Sequence, residues 1–177
     1  MLVEYLRNFG TAYHIHDRYP PKKLTYPDEK SEQFSKREVE PDKLDTFKVI
    51  FIYRNPVPAI FSRFNSIYHL YNIQSKEMTY RSIFSRNDDC FGLTEFYNNY
   101  MNKSDRNYPI YCIKYETFFE NVEKFNSIIG ITLTDPKQLP IRKETRKYNK
   151  PDETKHLGNV YEKLIKDMCN RPPILII

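Results

Sequence analysis

A chain of 177 residues with 40% hydrophobic and 29% charged residues has enough apolar material for the core of one domain and too much for a disordered segment. Lys and Arg exceed Asp and Glu by 28 to 23; a net +5 suits an anionic ligand but lacks the dense basic stripe of a nucleic-acid binder, so no specific nucleic-acid partner is expected. The four glycines, Gly10, Gly92, Gly130 and Gly158, stand too far apart for an internal Walker A or Gly-x-Gly-x-x-Gly loop, no apolar run reaches a membrane span, and Glu4 and Arg7 interrupt any secretory leader.

In chain order, MLVEYLRNF places Leu2, Val3, Leu6 and Phe9 on one helical face, and Gly10 follows as a stop signal. TAYHIH, residues 11–16, alternates as a short strand with His14 and His16 on one face, and Pro20 and Pro21 end it. Residues 22–46 are dense in Lys, Glu, Asp and Pro and read as an exposed connection. FKVIFIY, 47–53, is an unbroken apolar run, which predicts a strand buried on both faces of a parallel sheet. Asn55 is a good N-cap and Pro56 suits the first helical position, so a helix is expected to run to about Tyr71 on a stripe of Ile60, Phe61, Phe64, Ile67, Tyr68 and Tyr71. Residues 75–103 read as weakly helical with a break at 87–89; the aromatics of 64–100 read as core at helical spacing, with an acceptor pocket as the other reading. A second buried strand is expected over 108–115. Thr117-x-x-Glu120 has the pattern of a capping box opening a helix that Gly130 closes. Residues 132–157 read as loop and 159–169 as a last helix; the tail RPPILII has no evident partner. Strands alternating with helices predict an α/β fold with a mostly parallel sheet flanked by helices, in a single domain over 1–177.

Chemistry is expected where a parallel strand hands over to a helix, because ligands of open α/β sheets sit outside the carboxyl ends of strands and a helix N-terminus favours anions. Arg54 lies at such a point and Ser62 follows eight residues later, about 200° around the helix from Ile60 and so off the core face. The pair is read either as an anion grip or as a surface ion pair beside an ordinary exposed serine. Cys90, Cys112 and Cys169 are widely spaced without a Cys-x-x-Cys pair, so neither a disulfide framework nor a zinc site is expected, and a reducing, cytoplasmic setting fits. His69 and His156 read as solvated.

FIYRNPVPAIFSRF resembles the 3′-phosphate-binding segment of sulfotransferases that use 3′-phosphoadenosine 5′-phosphosulfate (PAPS), where a buried strand ends in Arg-Asn/Asp-Pro and a Ser follows eight residues after the Arg. IKYETFFENVEKFNSIIGI is similar to that family's later strand-helix segment, with its Tyr-Glu pair and closing Gly. The resemblance implies a P-loop nucleotide-hydrolase-like sulfotransferase fold and gives Arg54 and Ser62 the 3′-phosphate of the cofactor. HIHDRYPP resembles the family's histidine followed by a Pro-containing turn, which implies His16, with His14 second, as the base that takes a proton from a hydroxyl or amine acceptor, a glycan among the candidates. IRKETRK offers Lys143 and Arg146 to the same phosphate, with a solvated basic loop as the other reading. No metal is required. The chain departs from the family in three respects: Pro58 stands where an acidic residue is frequent, no late Gly-rich basic motif is evident, and no Lys-x-Gly-Thr-Thr turn for the 5′-phosphosulfate is present. MLVEYLRNFG resembles the helix after that turn, so the chain is expected to begin just downstream of the turn and of the first strand. The alternative expectation is a non-catalytic nucleotide-binding relative.

Overall fold

The computed structural model describes residues 5–9, 20, 48–63, 80–102, 106, 108–132 and 148–177. The two apolar runs form strands β1 (Val49–Tyr53) and β2 (Ile110–Lys114), parallel and in the register Val49↔Ile110 to Tyr53↔Lys114. A parallel pair needs a crossover, and helices α1 (Pro56–Arg63), α2 (Tyr80–Phe84) and α3 (Leu93–Met101) lie within it. After β2 come the one-turn α4 (Tyr115–Phe118), α5 (Val122–Ile129), α6 (Pro151–Val160), α7 (Glu162–Asn170) and strand β3 (Ile174–Ile176).

The α/β class holds, but the sheet of the described residues is mixed rather than mostly parallel. β3 pairs antiparallel with β2, in the register Tyr111↔Ile176 to Ile113↔Ile174, so that β2 is central. The tail therefore contributes a structural strand at Ile174–Ile176. Its end is stitched by reciprocal backbone bonds between Ile110 and Ile177 (2.9 and 3.1 Å) and by Lys114 N–H to the Pro173 carbonyl (2.9 Å). These bonds satisfy backbone groups of β2 that burial would otherwise strand.

Two apolar clusters sandwich the sheet. One face gives Phe51, Tyr53, Ile110 and Cys112 to a large core with Ile60, Phe61, Tyr97, Tyr100, Leu157, Tyr161 and Leu164; the other gives Ile113 to a smaller one with Tyr5, Phe118, Val122 and Phe125. β2 is buried throughout Ile110–Ile113, as its composition predicts. β1 is not: Phe51 and Tyr53 are buried, but Ile52 between them is 39% exposed. The smaller cluster reaches Ile50 of β1 but does not include Ile52, and an apolar run by itself does not reveal which neighbour covers it. The aromatics at 91–100 are core, with Phe51 stacked on Tyr100 at 4.4 Å and Tyr53 edge-on to Tyr97 at 5.5 Å.

Local chemistry sets most helix ends. Asp89 lies in the expected break at 87–89, and its carboxylate accepts the Leu93 and Thr94 amides at 3.0 and 2.7 Å, capping α3 from before Gly92, whose φ of 58° only glycine adopts readily. Gly130 ends α5 at φ 78° in a Schellman arrangement: its N–H reaches the Ser127 carbonyl and that of Ile131 the Asn126 carbonyl. The Thr117 capping box does not form. Thr117 Oγ1 instead bonds back to the Lys114 carbonyl (3.4 Å), Asn121 Nδ2 takes the Thr117 carbonyl (2.8 Å), and α5 starts only after Asn121. The stretch read as loop to 157 contains α6, with Pro151 at its start. The initial helix of the sequence reading is described only at 5–9, where Tyr5 and Leu6 are helical. The strand expected at 11–16 and the connection at 22–46 lie outside the described residues.

The last helix is tied down by charge. Tyr97 Oη donates to Asp167 (2.7 Å), Arg171 donates to both Asp167 oxygens (3.2 and 3.3 Å), and Lys114 Nζ donates to the Cys169 and Arg171 carbonyls (3.1 and 2.7 Å) at the end of α7. Partial burial of Asp167 opposes its ionisation, but the Tyr97 and Arg171 bonds outweigh that and hold its carboxyl below the ordinary 3.8. A carboxyl lowered on folding stabilises the fold above the unfolded-state value, and that contribution is lost as pH falls from there through the folded-state value. Asp167→Asn is therefore expected to flatten the acid limb of the stability curve: between pH 6 and pH 3 the native melting temperature should fall further than the variant's. Equal falls would show that the Tyr97–Asp167–Arg171 group contributes nothing there.

Candidate functional site

Parallel pairing in register brings the carboxyl ends of β1 and β2 side by side, so Arg54 and Asn55 after β1 lie beside Tyr115 and Glu116 after β2. Asn55 is the N-cap expected from sequence. Its Oδ1 accepts the Val57 amide at 2.9 Å and its carbonyl accepts that of Ala59 at 3.4 Å. Pro56 and Pro58 carry no amide proton. The first turn of α1 is thus left with no free backbone donor, which corrects the expectation that its amides would meet an anion. An anion bound at this turn would have to be held by side chains.

Arg54 supplies one. It is half-buried, its guanidinium carbon lies 5.2 Å from the centre of the Tyr115 ring, and its Nε is buried with no acceptor. Among the described residues it makes no ion pair. The carboxylate of Glu116 is nearby but engaged elsewhere, with Oε1 accepting the Asn55 backbone N–H at 2.7 Å. A buried guanidinium N–H without an acceptor is costly, and an arriving anion that draws the group into pairing would relieve that cost.

Ser62 is exposed near the end of α1 and has no hydrogen-bond partner among the described residues. By helix geometry it stands about 10 Å along the axis from Asn55 and within about 20° of it around the circumference. Arg54 precedes that N-cap and lies outside the helix, and no hydrogen bond links it to Ser62. Sequence reasoning placed both residues but gave no role to Tyr115 or Glu116. Their Tyr-Glu pattern was visible, whereas their position beside Arg54 follows only from the strand register.

The other expected site residues, His14, His16, Lys143 and Arg146, lie outside the described residues, as does His69. His156 is not simply solvated: Nε2 donates to the Arg86 carbonyl at 2.7 Å and the ring meets Phe84 edge-on. Burial pushes the Cys112 thiol up to about 12, so it is no nucleophile near neutral pH. No group of three or more His, Cys, Asp or Glu suited to a metal occurs among the described residues, and no helix there is long and apolar enough to cross a membrane. A cleft of about 490 Å³ lined by Glu123, Asn126, Ser127, Gly130, Ile131 and Thr132 lies at the end of α5 and includes neither Arg54 nor Ser62. Comparison of the chain with family models, with curated proteins and with solved structures finds no match.

Proposed function

We propose that this chain is a nucleotide-binding domain of the sulfotransferase type, with a P-loop nucleotide-hydrolase-like α/β fold, in which Arg54 and Ser62 take the 3′-phosphate of PAPS. The observation that carries the proposal is the Arg54 guanidinium, without an ion pair among the described residues, at the carboxyl end of a parallel strand pair and held over Tyr115. PAPS supplies an activated sulfuryl group. His16, with His14 as the alternative, takes the proton from an acceptor hydroxyl or amine as its lone pair attacks sulfur; the bond from sulfur to the 5′-phosphate oxygen breaks, and adenosine 3′,5′-bisphosphate leaves. Lys143 and Arg146 are further candidates for the 3′-phosphate. The acceptor class is a hydroxyl- or amine-bearing molecule such as a glycan.

A second reading, resting on the same Arg54 turn, is a relative that binds the nucleotide without transferring sulfate. Calorimetry with adenosine 3′,5′-bisphosphate, beside an assay for transfer of labelled sulfate from PAPS, separates the two. Binding with turnover is expected of the enzyme and binding without turnover of the relative. Adenosine 5′-monophosphate, which lacks the 3′-phosphate, should bind at least about tenfold more weakly in either case. No preference for the bisphosphate would overturn both.

A further inference from the structure

We infer that Glu116 is a positioning residue for the Arg54 turn, completing from α4, just past β2, a capping box that the sequence of α1 cannot close by itself; the inference rests on the anion-binding reading of Arg54. In a local capping box the N-cap side chain bonds an amide of the first turn, and the residue at N3 reaches back to the N-cap N–H. Asn55 makes the first bond, through Oδ1 to Val57. The N3 position is Pro58, whose ring has no acceptor to return. The Asn55 N–H is bonded all the same, by Glu116 Oε1 at 2.7 Å, from a residue 61 positions away in sequence.

This substitution across the sheet has two effects on the site. It fastens the start of α1 to the end of β2, so the backbone that carries Arg54 is fixed relative to the Tyr115 ring on which its guanidinium lies. It also engages the Glu116 carboxylate with a backbone amide, and among the described residues the Arg54 guanidinium makes no ion pair. A local acidic N3 residue would cap the same amide without linking the two strands.

The test compares Glu116→Ala, Glu116→Gln and Pro58→Glu combined with Glu116→Ala, by calorimetry with adenosine 3′,5′-bisphosphate and by hydrogen exchange of the Asn55 amide. Glu116→Ala should weaken binding about tenfold and speed exchange of that amide by a similar factor. Glu116→Gln keeps an acceptor oxygen and should hold both within about threefold of native. Pro58→Glu in the Ala background restores a local box and should recover most of the amide protection. Native-like binding and exchange in a folded Glu116→Ala would overturn the inference; so would equal losses in Ala and Gln. If Glu116→Ala does not fold, Glu116→Gln and the double variant decide by the same measures. If the native chain binds no bisphosphate, the nucleotide reading falls by itself, and the amide exchange still decides whether Glu116 holds the turn.

Discussion

Replacing Arg54 with alanine is expected to weaken binding of adenosine 3′,5′-bisphosphate by about 30- to 1,000-fold while leaving the melting temperature within about 2 °C of native. The binding loss follows from two charge-assisted bonds between a guanidinium fork and a phosphate, together about 2–4 kcal/mol, at about 1.4 kcal/mol per tenfold. The backbone of the turn cannot compensate, because Pro56 and Pro58 have no amide protons and those of Val57 and Ala59 are taken by Asn55. Stability is spared because Arg54 forms no ion pair among the described residues. Its stack on Tyr115, worth about 0.5–1 kcal/mol at a partly exposed site, is offset by removing the buried Nε that has no acceptor. Arg54→Lys keeps the charge but loses the fork and should fall between the two. Ser62→Ala removes one neutral bond and should cost about three- to tenfold. Undiminished affinity in Arg54→Ala, measured by calorimetry on folded protein, would remove the basis of the proposed function.

What could be read in advance divides along local and non-local chemistry. The Asn55-Pro56 helix start, the break closed by Asp89 and the stop at Gly130 are each written in a few adjacent residues, and each forms as expected. The tail could not be read this way. ILII is a strand only because β2 offers it an unpaired edge, and that edge is fixed by residues some sixty positions earlier. The Thr117 box failed for a related reason. Four residues wind into α4 directly from the end of β2, and the Thr117 hydroxyl turns back to the Lys114 carbonyl before a longer helix can begin there. In the site, Arg54 was legible because a strand, an N-cap and a proline frame it. Tyr115 and Glu116 became its neighbours only through the pairing of Tyr53 with Lys114, which the composition of neither strand specifies.

Replacing Tyr161 with alanine is expected to cost about 3–5 kcal/mol, a large part of the 5–15 kcal/mol that holds a typical domain together. Tyr161 joins α6 to α7, is 1% exposed and heads the largest fully buried side chains, so its loss opens a cavity between Leu157, Leu164 and the rest of the core. Its hydroxyl donates to Asp89 Oδ1 at 2.7 Å, the same carboxylate that caps α3 through Leu93 and Thr94. Burial, with that carboxylate beside it, pushes the phenol well above its ordinary range, so it stays a donor at every accessible pH. Tyr161→Phe should therefore cost only the bond, about 1–2 kcal/mol, and Asp89→Ala about 2–4, since it strips two amides and the hydroxyl at once. Denaturant melts give all three values; a loss below about 1 kcal/mol in Tyr161→Ala would mean that the α6–α7 joint is not packed as described. No hydrogen bond links Tyr161 or Asp89 to Arg54 or Asn55. Where Tyr161→Ala remains folded, at low temperature and without denaturant, it should bind adenosine 3′,5′-bisphosphate as tightly as native, the converse of Arg54→Ala, which leaves the fold and removes the ligand.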